Sequence, residues 1–179
     1  MNHLIDTLVS RASHAANTLI EPAPSTEQLE ILISCALSAP DHGKLRPWHF
    51  VAIEGEARGR LGQALRQAAQ VADPALSDDK AALLESKPLR APMIIACLTH
   101  IIEDLPKVPV FEQILSTGAA VQQLQIAANA MGYGCVWLSG PYCNTAPVKD
   151  LLKAADKDLV AGFIYIGTPE QAAPSKPRP

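Results

Sequence analysis

The 179-residue chain has no CxxC pair, no run of basic residues and no charged-then-apolar opening of the kind that directs secretion. The four cysteines, Cys35, Cys97, Cys135 and Cys143, are scattered. Two of them lie inside apolar runs, where a reduced, buried thiol is the ordinary state. Free thiols and the plain start Met1-Asn2-His3-Leu4-Ile5-Asp6 together predict a cytoplasmic protein. A net charge of -3 without clustered Lys or Arg gives no electrostatic basis for holding nucleic acid. The longest apolar region, 114–131, is interrupted by Gln122, Gln123, Gln125 and Asn129, amides that a bilayer would penalise. It reads as a helix buried in protein, with no membrane span expected.

Catalytic signatures are missing too. GxSxG, HExxH, the P-loop and GxGxxG do not occur, so the common hydrolase, metalloprotease, nucleotide and Rossmann readings fall away. His3, His14, His42, His49 and His100 lack metal-binding spacing, and nothing singles out a cysteine nucleophile.

What is present is 48% hydrophobic and 18% charged, the balance of a globular chain of one domain's length, taken here as residues 1–179. Leu4, Ile5, Leu8, Val9 and Ala12 recur at helical spacing, with Arg11 and Ser13 at the end of the stripe. Ser25-Thr26-Glu27-Gln28 has the form of a capping box, opening a helix that carries Leu29, Leu32, Ile33 and Ala36 and ends before Pro40. Strands are expected at 50–53, 92–98, 135–138 and 159–166, and further helices at 57–72, 78–86, 111–131 and 147–155. Gly59 and Gly62 count against the first of these helices. Small residues such as Gly118, Ala119 and Ala120 mark helix 111–131 as one that admits a close neighbour, in the core or at a subunit contact. The tail from about residue 170 is expected to be extended or disordered. Interleaved helices and strands give an α/β or α+β domain.

Between the second helix and the first strand lies Ala39-Pro40-Asp41-His42-Gly43-Lys44-Leu45-Arg46-Pro47-Trp48-His49-Phe50. Two prolines and a glycine make this a shaped loop, and its polar side chains suit binding. An ordinary connection whose Trp48 packs into the core fits the same residues. Arg11 and Ser13 have the chemistry to grip a phosphate, and Arg11 reads equally as a solvated surface residue. A bound flavin would account for chemistry without a triad or metal cluster.

Taken in order, these pieces resemble the nitroreductase family of flavoproteins, most closely its short YdjA-type branch. The likeness rests on Arg11-Ala12-Ser13, Glu21-Pro22-Ala23-Pro24, Ala39-Pro40-Asp41-His42, Arg46-Pro47-Trp48-His49-Phe50 and Arg90-Ala91-Pro92. It continues through Lys107-Val108-Pro109, Glu112-Gln113, Ser116, Gly118-Ala119, Trp137-Leu138-Ser139-Gly140 and the run from Gly162 to Pro169. The resemblance implies an α+β fold with a central, mostly antiparallel sheet flanked by helices. It also implies an entwined homodimer with FMN between subunits and NADH or NADPH as reductant. The implied activity passes electrons from NAD(P)H through the flavin to nitroaromatics, quinones or similar small acceptors, with no catalytic side chain and no metal. By the same resemblance, Arg11, Ala12 and Ser13 meet the flavin phosphate and ribityl chain. The loop carrying Asp41 and His42 approaches from the partner subunit, Ser38 is a further cofactor-binding position, and Trp137, Leu138 and Ser139 complete the site.

The chain departs from the pattern where arginine is usual, at Ala12, Ser38 and Leu138. Each lost charge-assisted contact is worth about 1.5–3 kcal/mol. Two such losses weaken flavin binding by roughly two to four powers of ten unless Lys44 or Arg46 substitutes. A dimeric flavin- or small-molecule-binding protein with weakened or lost turnover is the alternative reading.

Overall fold

A computed structural model describes residues 3–171. It begins with helix α1 (His3–Ser10), a short 3-10 turn and strand β1 (Leu19–Ile20). Then come α2 (Thr26–Leu37), β2 (Trp48–Glu54), α3 (Ala57–Ala72), α4 (Asp78–Ser86) and β3 (Met93–Thr99). The chain closes with α5 (Val110–Ala130), β4 (Gly134–Leu138), α6 (Ala146–Leu152) and β5 (Leu159–Pro169). Among the described residues every strand pair is antiparallel: β2 pairs with β3, β3 with β5, and β5 also with β4 and, at its end, with β1.

Strand β3 explains why the sheet has two covered faces. Every one of its side chains is buried, the pattern of a central strand with helices on both sides. Met93, Ile95 and Cys97 point into a core shared with Leu32, Ala36, Leu124 and Ala128, beneath α2 and α5. Ile94, Ala96 and Leu98 point into a second core with Leu61, Leu65, Val148 and Leu152, beneath α3 and α6. Helices thus flank an open antiparallel sheet.

The capping box forms as expected: the Gln28 N–H donates to Ser25 Oγ at 3.3 Å and Gln28 Oε1 accepts the Ser25 N–H at 2.9 Å. The same oxygen accepts the Tyr133 hydroxyl at 2.7 Å, tying the start of α2 to the chain just beyond α5.

Several boundaries differ from the sequence expectation. Strand β2 starts two residues early because Trp48 turns inward under α2 and α5, the core role allowed for it. Strand β5 runs past Ile166 to Pro169, since Gly167 pairs with Gly134 and the last two residues pair with β1, which no pattern of two residues announces. Helix α6 stops at Leu152, where Lys153 turns left-handed with φ 55°. Glu170, near the start of the expected tail, is anchored by its N–H to the Thr18 carbonyl at 3.0 Å, and the rest of that tail, 172–179, lies outside the described residues. No described helix is long and apolar enough to cross a membrane.

Candidate functional site

Strand β4 is an edge, hydrogen-bonded to β5 on one side only. The other side is partly covered by the stretch after α1, where the His14 N–H donates to the Cys135 carbonyl at 3.1 Å. In an antiparallel strand the backbone groups of alternate residues face alternate edges. Trp137 therefore presents its N–H and C=O to the same outer edge as Cys135. Its side chain lies on the α5 face and that of Leu138 on the α3 face, by the same period of two. The indole runs back along β5, donating from Nε1 to the Ala161 carbonyl at 3.1 Å. It can do so because residue 162 is glycine, with φ 138°. A Cβ there would stand 2.6 Å from the indole nitrogen and 2.7 Å from the Leu138 carbonyl oxygen.

Two hollows flank the end of β4. On the α5 face an open cavity of about 600 Å³ is lined by Leu115, Gly118, Ala119, Trp137, Ser139 and Gly140, among others. Gly118 and Gly140 both have open space where a Cβ would stand. Glycine inside a helix costs up to about 1 kcal/mol relative to alanine, and no neighbouring atom in the described chain requires it at position 118. On the opposite face a second cavity of about 270 Å³ is lined by Leu138, Ser139, Lys87, Arg90, Tyr142 and Tyr165, among others. Ser139 and Gly140 form a shared rim. Cys143 lies under both hollows and accepts the Gly140 N–H on Sγ at 3.2 Å.

Cys97, Cys135 and Cys143 are not set up as nucleophiles, a role that needs a depressed pKa, because burial raises each of them. Burial pushes Cys143 up. Burial also pushes Cys135 up to about 11, against the opposing charge of Arg11. The Tyr165 hydroxyl is raised to about 12 by burial, partly offset by Arg90. All four cysteines are unpaired, and among the described residues no three His, Cys, Asp or Glu side chains gather to hold a metal.

A profile of the nitroreductase family matches residues 19–168, most of the chain. The protein belongs to the nitroreductase family. It is 41% identical over 170 residues to "Putative NAD(P)H nitroreductase YdjA" of Escherichia coli (strain K12), covering 94% of this chain and 90% of that one. The fold matches a nitroreductase-like protein from Bacillus cereus at a TM-score of 0.83 and 22% identity, over 100% of this chain and 92% of that one. It also matches a nitroreductase with bound FMN from Bacteroides fragilis NCTC 9343 at a TM-score of 0.73 and 18% identity, over 100% and 95% of the two chains.

The residues that the nitroreductase resemblance singles out fall into three places. Arg11 follows α1, its N–H still on the Thr7 carbonyl at 3.0 Å, and its charge acts on Cys135. Ala12 is half-buried, Ser13 is exposed, and together with Arg11 they lie beside the start of β4. Trp137, Leu138 and Ser139 occupy the other end of that five-residue strand and the turn after it. Ser38 and His42 belong to a third group. Ser38 closes α2, donating from Oγ to the Cys35 carbonyl at 2.7 Å. His42 is pinned to α5, its N–H and Nδ1 each 3.3 Å from Ser116 Oγ. Neither Ser38 nor His42 lines either cavity.

Lys44 and Arg46 do not line the two hollows either. The cations beside Leu138 and Ser139 are Lys87 and Arg90, on a 3-10 turn of four residues that places positions i and i+3 on one side. Sequence reasoning registered Arg90 only as part of a motif and passed over Lys87. The signal was there in Lys87-Pro88-Leu89-Arg90, a proline-started turn with a base at each end.

Proposed function

We propose that this nitroreductase-family chain is an FMN-dependent NAD(P)H oxidoreductase that reduces small acceptors such as nitroaromatics or quinones, working as a homodimer in the cytoplasm. The observation that carries this reading is the cavity on the α5 face. It joins an aromatic wall, a free strand edge at Trp137 and two glycines with empty space where side chains would stand. A flat heterocycle fits those surroundings, and FMN is bound in the related Bacteroides fragilis protein. When bound, FMN supplies the redox chemistry that no side chain here provides.

This chain's residues bind and orient. Arg11 offers a charge-assisted hydrogen bond to a phosphate, and Ser13 a hydroxyl. Trp137 offers one backbone donor and one acceptor at the strand edge, the complement of a ring that carries both. Ser139 adds a hydroxyl at the rim. Ser38 and His42, absent from the cavities of their own protomer, serve the partner's site. Four exposed apolar side chains support the homodimer: Leu4 at 58% and Val9 at 66% on α1, Phe111 at 60% and Leu115 at 59% on α5. Lys87 and Arg90 stand near the position where Leu138 replaces an arginine, and they supply positive charge on that side.

Titrating the purified protein with FMN, with flavin fluorescence and visible absorbance as readouts, tests the reading. Saturable binding with NADPH-dependent bleaching is expected. Arg11→Ala should weaken FMN binding by roughly ten- to a hundred-fold, the equivalent of one charge-assisted hydrogen bond. Unchanged affinity would remove Arg11 from the site, and failure of the native protein to bind FMN at any concentration would overturn the proposal. A second reading, flavin binding without turnover, is favoured by the absent arginines at Ala12, Ser38 and Leu138. Binding without bleaching by either NADH or NADPH would establish it.

A further inference from the structure

A third hollow lies at the same end of the sheet, one residue along the chain from the α5-side cavity: Leu159 lines that cavity and Asp158 lines this one. It encloses about 360 Å³ where β2 begins, β3 ends and α6 stops. Arg46, His49, His100, Lys153 and Asp158 are its charged and titratable lining residues, with Trp48, Leu98, Leu152 and Ala154 completing the wall. Four nitrogen bases surround one carboxylate, in a chain whose acids outnumber its Lys and Arg by 18 to 15.

The carboxylate is already occupied. Asp158 Oδ1 accepts the Ile101 N–H at 3.1 Å and meets His100 Nδ1 at 3.0 Å, while Oδ2 accepts the Ala155 N–H at 3.0 Å. Among the described residues the side chains of Arg46, His49 and Lys153 make no hydrogen bond or ion pair. Two of these bases sit on left-handed backbone, Arg46 at φ 50° and Lys153 at φ 55°, a conformation that favours glycine. Each is held there locally. The Arg46 N–H donates to Asp41 Oδ2 at 2.6 Å, and the Lys153 N–H donates to the Asp150 carbonyl at 3.2 Å. Like charges gathered around one hollow repel unless an anion joins them. A guanidinium, an ammonium and two imidazoles are all hydrogen-bond donors when protonated, which suits an oxyanion with several acceptor oxygens.

We propose that this hollow binds a phosphate group, as inorganic di- or monophosphate or as the phosphate of a nucleotide. The proposal stands apart from the flavin reading, because none of the residues lining this hollow lines either cavity beside β4. The test is calorimetric titration of the full-length protein at constant ionic strength with inorganic pyrophosphate, and in a separate arm with AMP. Arg46→Gly and Lys153→Gly remove the charges while suiting the left-handed backbone, so both variants should fold, with melting curves as the check. Saturable binding is expected, weakened at least ten-fold in each variant and unchanged in Lys80→Ala, which removes an exposed cation on α4. Binding of pyrophosphate alone assigns the site to free phosphate, and binding of AMP alone assigns it to a nucleotide. No binding of either probe, or an equal loss in Lys80→Ala, overturns the proposal.

Discussion

His14 occupies a slot that exists because residue 134 has no side chain. A Cβ on Gly134 would stand 3.0 Å from the imidazole Cγ and 2.7 Å from Leu19 Cδ2. The ring is buried, its Nδ1 has no partner, and burial lowers its pKa. Between that lowered value and the ordinary histidine value of about 6.5, the unfolded chain binds a proton that the folded chain does not. Stability should therefore rise with pH across that window and fall on acidification below about pH 6.5. His14→Asn should flatten the dependence in denaturant melts recorded across the window. Asp158 acts at lower pH. Burial alone would raise its pKa, but the Ala155 and Ile101 N–H groups and His100 more than reverse this, holding it below the usual carboxylate range. Its contribution is present above the ordinary carboxylate pKa and is lost as pH falls through the depressed value. Asp158→Ala strands two backbone donors and should cost about 1–3 kcal/mol, whereas Asp158→Asn, which keeps an acceptor, should cost less. Equal losses in the two variants, measured by chemical denaturation, would show that the backbone donors find other partners.

Among the elements, α3 separates what could be read from the chain from what could not. Its span was legible from its Ala-, Arg- and Gln-rich composition, with both glycines as marks against it. The structure distinguishes the two. Gly59 faces open space, while a Cβ on Gly62 would collide with the Glu85 backbone carbonyl at the end of α4. Gly59→Ala should thus stabilise the protein by up to about 1 kcal/mol through helix propensity. Gly62→Ala should destabilise it by about 1–3 kcal/mol, because backbone cannot yield as a flexible side chain does. Thermal melts of the pair check both signs. Helix α2 was legible for a different reason, since Ser25 and Gln28 satisfy each other within four residues. Strand β1 and the end of β5 were not, because their pairing joins residues about 150 positions apart and no local pattern encodes it. Trp137 and Ser139 were legible as site candidates from an ordered set of motifs. The role of Gly162 in seating the indole was not, because it depends on two strands meeting.

For the molecule as a whole, the chain pattern showed α1 as an apolar stripe, but only its surroundings show that Leu4, Ile5, Leu8 and Val9 are exposed. The spacing of one chain gave no place for Ser38 and His42 beside the other candidates; only the resemblance implied that the loop carrying His42 serves a partner's site. If α1 and α5 meet a second copy, Phe111→Asp should yield monomers by sedimentation velocity, keep its circular dichroism and lose flavin affinity along with the partner's contribution. Dimers that persist in Phe111→Asp would remove this part of α5 from the subunit contact.

The outer side of β2 has a consequence of its own. The His100 N–H reaches the Pro47 carbonyl, which fixes the parity of the strand: odd-numbered residues from His49 to Ile53 bond to β3, and even-numbered ones face away. Deuterium should enter the amides of Phe50 and Ala52 far sooner than those of Val51 and Ile53. A strand supplied by another chain along that side would erase the difference, so isotope uptake at four adjacent positions reports whether the sheet ends at β2 or continues into a neighbour.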